Sequence, residues 1–154
     1  MLLSPRLVNW PNRTTSHALG ESAWHQITSW IAVVVWAAVI YYLSSRSRLP
    51  VDATWSVTKL AHIFEYAVLT LLLIRALDAH RLARSRVLLV AAMLAVMYAV
   101  SDEYHQSFVP NRHPSPVDIV IDSVGISVAT LLGSVMYAQR RQPGHRRATS
   151  PPSS

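Results

Sequence analysis

Four runs of apolar residues, separated by short polar segments, dominate the pattern of this chain. They cover residues 27–43, 57–77, 87–100 and 117–138, and the third continues with helical spacing to about Gln106. A helix needs about 20 residues to cross a bilayer, a length that the third run reaches only with its polar final turn. The pattern predicts an all-α, polytopic membrane protein that forms a bundle of four transmembrane helices.

The same pattern divides the chain into three parts. Residues 1–23 are polar and contain helix-breaking prolines, which predicts a flexible N-terminal tail. Residues 24–138 form the four-helix transmembrane domain. Residues 139–154 are basic and end in Ser-Pro-Pro-Ser-Ser, which indicates a disordered C-terminal tail.

Composition supports a membrane protein and excludes some classes of function. Hydrophobic residues make up 51% of the chain and charged residues only 14%, against about 25% charged in typical soluble domains. The chain has no cysteine, which excludes disulfides and thiol chemistry. The net charge of +6 lies in tails and loops, so we expect membrane lipids and no nucleic acid as partners.

The distribution of arginine predicts the orientation of the chain in the membrane. With four spans, the two tails and the 78–86 loop share one side. That side carries Arg6, Arg13, Arg75, Arg81, Arg84, Arg86, Arg140, Arg141, Arg146 and Arg147. Because positive loops stay inside, we expect cytoplasmic N- and C-termini, with segments 44–56 and 103–116 facing outward.

Ionisable residues and one glutamine concentrate at the predicted outer ends of the last three helices. They are Lys59 and His62 on the second helix, Asp102, Glu103, His105 and Gln106 on the third, and Asp118 and Asp122 on the fourth. At about 1.5 Å rise per residue, these side chains occupy one shallow layer of the outer leaflet. The layer therefore predicts one shared polar site.

Helical spacing indicates which of these residues share a face. Lys59, His62 and Tyr66 follow an i, i+3, i+7 pattern on the second helix. Asp102 and His105 share a face of the third helix in the same way. Glu65 lies at the edge of the first of these faces, and we assign it no role.

On the fourth helix, acidic and small residues form one stripe. The stripe consists of Asp118, Asp122, Gly125, Ala129 and Gly133. Small residues let a neighbouring helix approach closely, so the stripe is expected to face protein. An aspartate facing lipid would cost roughly 2.5–3.5 kcal/mol. Lys59 and Arg112 are the available cationic partners.

Three motifs of the chain resemble those of the VanZ-like membrane proteins. They are Lys59-x-x-His62-x-x-x-Tyr66-x-x-Leu69, Asp102-Glu103-x-His105-Gln106-x-Phe108-x-Pro110-x-Arg112 and Asp118-x-x-x-Asp122-x-x-Gly125. The resemblance covers roughly residues 30–137. The family more often has Asn in place of Asp122 and Gly in place of Asn111.

The resemblance implies a four-helix inner-membrane protein of the bacterial cell envelope. The founding member of the family is linked to resistance to the glycopeptide antibiotic teicoplanin, so a link of this chain to glycopeptide tolerance is an expectation. The family has no established reaction. The resemblance therefore leaves open whether this chain is an enzyme.

Our first hypothesis is a polar site at the outer leaflet that binds or acts on a lipid-linked cell-wall precursor or another amphiphilic molecule with an anionic head. In its enzymatic form, the general base is Asp102, Glu103 or His105, and His62 is an acid. Lys59 and Arg112 would stabilise phosphate charge. The remaining candidates for binding the substrate are Tyr66, Gln106, Asp118 and Asp122.

The alternative is a non-enzymatic protein in which the charged cluster is a ligand pocket or a helix-packing network. Buried ion pairs often specify packing and perform no chemistry. A divalent-metal site is a third possibility with weak support, because no spacing such as His-x-x-x-His is present. We therefore predict neither a metal nor a cofactor.

Overall fold

The computed structural model contains four α-helices and, over the residues that it describes, no β-strand. The described residues are 13–46, 55–80, 82–110, 112 and 114–140. The helices are α1 (Arg13–Ser44), α2 (Trp55–Asp78), α3 (Arg84–Gln106) and α4 (Pro116–Arg140). The prediction of an all-α, four-helix transmembrane protein is confirmed.

Helix α1 begins before the first apolar run. It starts at Arg13, so it includes residues 13–23 of the segment that we expected to be a tail. No proline interrupts the chain between Arg13 and Ser44, and extending a formed helix needs no new nucleus. The rest of the expected N-terminal tail, and the C-terminal tail beyond Arg140, lie outside the described residues.

Each helix is long and apolar enough to cross a membrane. The candidate spans are Ala23–Ser44, Thr58–Asp78, Arg84–Gln106 and Pro116–Gln139, of 21 to 24 residues each. Large apolar side chains such as Phe64, Leu89 and Val120 are exposed on the outside of the bundle. Such a surface is suited to contact with lipid chains, which are as apolar as these side chains.

Helices α2 and α3 form the short diagonal of the bundle. Each of them contacts the other and also packs on both α1 and α4, whereas no contact joins α1 to α4 in the described part of the chain. Ala91, Ala95 and Ala99 recur every four residues along α3 and are buried. Their small side chains let the neighbouring helices approach α3 closely.

The small-residue stripe of α4 packs on α2, as its sequence predicts. A Cβ atom placed on Gly125 would overlap the carbonyl oxygen of Ile63 and would lie 3.2 Å from the backbone nitrogen of Ala67. Ala129 is fully buried and Asp122 almost so. This contact between two backbones sets the distance between α2 and α4 and brings the polar ends of both helices together.

Candidate functional site

The polar residues of the three motifs lie at one end of the bundle, where α1 and α3 end and α2 and α4 begin. We call this group the polar layer. It contains all ten predicted site residues: Lys59, His62, Tyr66, Asp102, Glu103, His105, Gln106, Arg112, Asp118 and Asp122. The antiparallel arrangement of the helices therefore places the three motifs at a similar depth.

Two polar pairs join α2 to α4 within the polar layer. Lys59 Nζ forms an ion pair with Asp118 Oδ1. About one turn deeper, His62 Nδ1 lies 3.1 Å from Asp122 Oδ1. His62 and Asp122 are buried, so each supplies a polar contact that the other would otherwise lack. The aspartates of the stripe thus face basic groups on α2, as expected from the cost of exposing them to lipid.

A second set of contacts joins α1 to α3 on the other side of the diagonal. Ser44 donates a hydrogen bond of 2.6 Å to Asp102 Oδ1. Gln106 Nε2 donates to Asp102 Oδ2 at 3.0 Å. Both carboxylate oxygens of Asp102 are therefore engaged by neighbouring side chains.

His105 also faces α1, closer to the end of the bundle. Its Nε2 lies 3.0 Å from Ser45 Oγ, and its ring stacks on Tyr41 with the ring centroids 4.3 Å apart. Tyr98 lies on the same face of α3 and donates a hydrogen bond of 2.6 Å to the carbonyl of Ala37. This face of α3 thus packs on α1 over the last turns of α3, from Tyr98 to His105.

Glu103 and Arg112 fix the connection between α3 and α4. The Glu103 carboxylate accepts a hydrogen bond from the backbone N–H of Ser115, just before α4. Arg112 donates to the carbonyls of Leu43 at 3.2 Å and Arg46 at 3.1 Å. These carbonyls belong to the C-terminal end of α1, where helical partners are missing. Arg112 therefore caps α1 and holds the α3–α4 loop against it.

A small cavity of about 40 Å³ lies inside the polar layer, and we call it the polar cavity. Its lining residues are Leu43, Ser44, Thr58, Ala61, His62, Glu65, Gln106 and Arg112. They come from α1, α2, α3 and the α3–α4 loop. A water needs roughly 10–15 Å³ of such space, so the polar cavity has room for a few waters or one small polar group.

The polar cavity brings together three of the ten predicted residues: His62, Gln106 and Arg112. The others lie around it and bond to neighbouring helices or to the α3–α4 loop, except Tyr66. Its side chain is completely buried at the inner edge of the polar layer, and among the described residues no group hydrogen-bonds to its hydroxyl. The single cluster expected from the sequence is thus divided between the two sides of the α2–α3 diagonal, with a small shared cavity.

Three polar residues of the polar cavity, Ser44, Thr58 and Glu65, were not among the sequence-based candidates. Glu65 lies three residues after His62, so helical spacing placed it near the same face. Among the described residues, none forms a hydrogen bond or ion pair with its carboxylate. Ser44 lies in none of the three motifs. Its position at the end of the first apolar run is the only signal in the sequence that could have indicated it. Its contact with Asp102 depends on the packing of α1 against α3.

The arrangement of acidic and imidazole groups also bears on metal binding. Within the described ranges, no three His, Asp or Glu side chains are grouped so that they could hold a metal ion. The chemical groups of the polar cavity are an imidazole, a carboxylate, a primary amide, two hydroxyls and a guanidinium. Such a set can bind a small polar group and transfer a proton.

Comparison with known proteins supports the resemblance drawn from the motifs. The family model described as VanZ/LLP1 matches residues 5–137, which include the first three spans, all but the last two residues of the fourth, and the polar layer. No curated protein and no solved structure matches the chain. On the extent of that family match, the chain belongs to the VanZ/LLP1 family of membrane proteins.

Proposed function

We propose that this VanZ/LLP1 protein resides in the bacterial inner membrane and binds the polar group of a lipid-linked or amphiphilic molecule at the polar cavity. The observation that carries the proposal is the position of His62, Glu65 and Arg112 around one cavity inside an apolar bundle. Ionisable groups that face inward within a membrane are expensive to bury and commonly mark functional sites. As part of the same function, we propose that the protein contributes to tolerance of teicoplanin-type glycopeptides.

The polar cavity offers donors suited to an anionic head. Arg112 uses Nε and one Nη2 hydrogen for the carbonyls of Arg46 and Leu43. A guanidinium has five N–H donors, so three remain for a phosphate or carboxylate oxygen. Gln106 also lines the cavity, and its amide is already bonded to Asp102.

An enzymatic form of the proposal rests on His62 and Glu65. The Asp122 carboxylate holds His62 through Nδ1, which orients the ring and leaves Nε2 as the atom that gives or takes a proton. Asp102 and Glu103, named from the sequence as bases, are engaged in contacts that hold the bundle. We therefore propose that His62 is the acid–base group in hydrolysis or group transfer. Glu65, in place of Asp102 or Glu103, is the carboxylate that acts with it.

The alternative function, a helix-packing network without a ligand, also has a specific observation in its favour. Lys59 pairs with Asp118 and His62 pairs with Asp122 across the α2–α4 contact. Removing one member of a buried pair is strongly destabilising even where the pair performs no chemistry. Substitutions at these four residues therefore cannot separate the two functions.

Glu65 provides the separating experiment. Glu65→Gln keeps the size of the side chain, removes its charge and breaks no hydrogen bond or ion pair among the described residues. In a susceptible host that expresses the protein, we expect wild-type abundance and loss of teicoplanin tolerance. Ser101→Ala is the control, because Ser101 is exposed and its hydroxyl bonds, among the described residues, only to the carbonyl of Tyr98 in its own helix.

A change in the packing network gives the reference result, because both functions predict the same outcome for it. Asp118→Asn is expected to lower the amount of folded protein, and tolerance should fall in proportion to it. Full tolerance in Glu65→Gln would refute a function at the polar cavity. Loss of tolerance only in proportion to protein, in both variants, would support the packing network.

A further inference from the structure

A groove of about 490 Å³ lies between α2 and α4 at the end of the bundle opposite to the polar layer. Its lining includes Leu71, Arg75, Asp78, Gly133, Met136 and Tyr137. Sites for small molecules usually enclose about 300–1,000 Å³. The groove is therefore large enough for a whole small molecule, whereas the polar cavity admits only a few waters or one small polar group.

The groove opens on the lipid-facing side of the bundle. Leu71 and Met136 line it and are both exposed. Gly133 contributes no side chain to the groove wall, and Ile74 packs closely against it. Arg75 and Asp78 stand in the last turn of α2, where the helix reaches the depth of lipid headgroups. The groove thus extends from the interface about 6 Å toward the centre of the membrane, from Arg75 to Leu71.

One cation and one anion stand at the mouth of the groove. Arg75 and Asp78 are three residues apart, so they lie on one face of α2, and both are exposed. No described residue forms a hydrogen bond or ion pair with either side chain, nor do the two bond to each other. Arg84 at the same end differs, because its guanidinium lies 4.5 Å from the centre of the Tyr137 ring.

We propose that this groove binds one phospholipid with a zwitterionic phosphoethanolamine head. Arg75 binds the phosphate, Asp78 binds the ammonium group, and one acyl chain lies along Leu71 and Met136. A head that carries only negative charge would satisfy Arg75 and be repelled by Asp78. The complementary head must therefore carry both charges, and charge-assisted hydrogen bonds to both supply the affinity.

Native mass spectrometry of the purified protein in detergent tests the proposal, with phosphatidylethanolamine and phosphatidylglycerol of the same acyl chains as probes. We expect the wild type to retain phosphatidylethanolamine in preference to phosphatidylglycerol. Arg75→Gln should weaken binding of both lipids by about tenfold, the effect of losing one charge-assisted contact. Asp78→Asn should reverse the preference toward phosphatidylglycerol.

Arg86→Gln is the matched control, because Arg86 is an exposed arginine near the same end of the bundle that does not line the groove. It should leave the retention of both lipids within about twofold of the wild type, a change too small to reflect a lost charge-assisted contact. Equal effects of Arg75→Gln and Arg86→Gln would overturn the site. A wild-type preference for phosphatidylglycerol would overturn the zwitterionic head. Circular dichroism of each variant checks that the helices remain folded.

Discussion

His62 Nδ1 lies 3.1 Å from Asp122 Oδ1, and only 2% of the Asp122 surface is exposed. The pair links α2 to α4 one turn below the ion pair of Lys59 with Asp118. Both contacts depend on the close approach of the two backbones at Gly125. The polar layer and the packing of the bundle are therefore parts of one structure.

The first prediction concerns this pair. His62→Leu leaves the Asp122 carboxylate buried without its imidazole partner, and we expect it to destabilise the protein by about 3–5 kcal/mol. The double variant His62→Leu with Asp122→Leu removes both polar groups and should recover most of that loss. Thermal or denaturant unfolding in detergent measures both. Equal destabilisation by the single and double variants would show that the contact is not a buried pair.

The second prediction concerns the contact of α4 with α2. Gly125→Ala places a methyl group against the backbone carbonyl of Ile63, which cannot move without shifting α2. We expect a loss of about 1–3 kcal/mol in unfolding free energy, the usual cost of overpacking. Gly133→Ala is the control, because the nearest atom to its Cβ is the flexible side-chain end of Ile74, at 2.9 Å. A larger loss for Gly133→Ala would contradict this account.

The third prediction concerns the cap on α1. Arg112→Ala removes the hydrogen bonds to Leu43 and Arg46, so hydrogen exchange should rise at the end of α1 and in the loop before α4. Arg112→Lys keeps the charge but has no planar fork of donors, so exchange should rise there as well. Mass spectrometry of deuterated peptides measures both variants. Wild-type protection in Arg112→Lys would show that charge alone holds the loop.

Much of the bundle could be predicted from the sequence, because lipid requires continuous apolar helices whose backbones bond internally. The stripe through Gly125 was predictable for a related reason, since small residues at helical spacing indicate close packing. The start of α1 was not predictable, because residues 13–23 are too polar to resemble a span.

The depth of the candidate site in the membrane could be predicted from the sequence, but the contacts between its side chains could not. Helical spacing placed His62 and Asp102 at a similar level, but it carries no information on the angle between helices. That angle separates them, since His62 faces α4 and Asp102 faces α1. Glu65 was assigned no role from the sequence for the same reason. Its place at the cavity depends on the position of α1 and of the loop that carries Arg112.

The fourth prediction concerns the orientation in the membrane. The chain has no cysteine, so single cysteines can be introduced without a prior substitution. Ser107 and Ser85 are exposed near opposite ends of α3. With cytoplasmic termini, Ser107→Cys should react with an impermeant thiol reagent on intact cells.

Ser85→Cys supplies the control for this labelling experiment. It should react only after the cells are opened, because the same orientation places it in the cytoplasm. The reverse pattern of labelling would place both termini outside.

The small volume of the polar cavity has a consequence for access. Anything larger than a few waters fits only if part of the wall moves, and α1 supplies that part of the wall through Leu43 and Ser44. In the described part of the chain α1 has no contact with α4 but packs on α2 and α3, so an outward swing of its final turn would break contacts with those two helices only. The bonds from Ser44 to Asp102 and from Arg112 to Leu43 resist that swing. If the polar cavity binds a bulky ligand, as we propose, the combined strength of these bonds would limit how often that ligand enters.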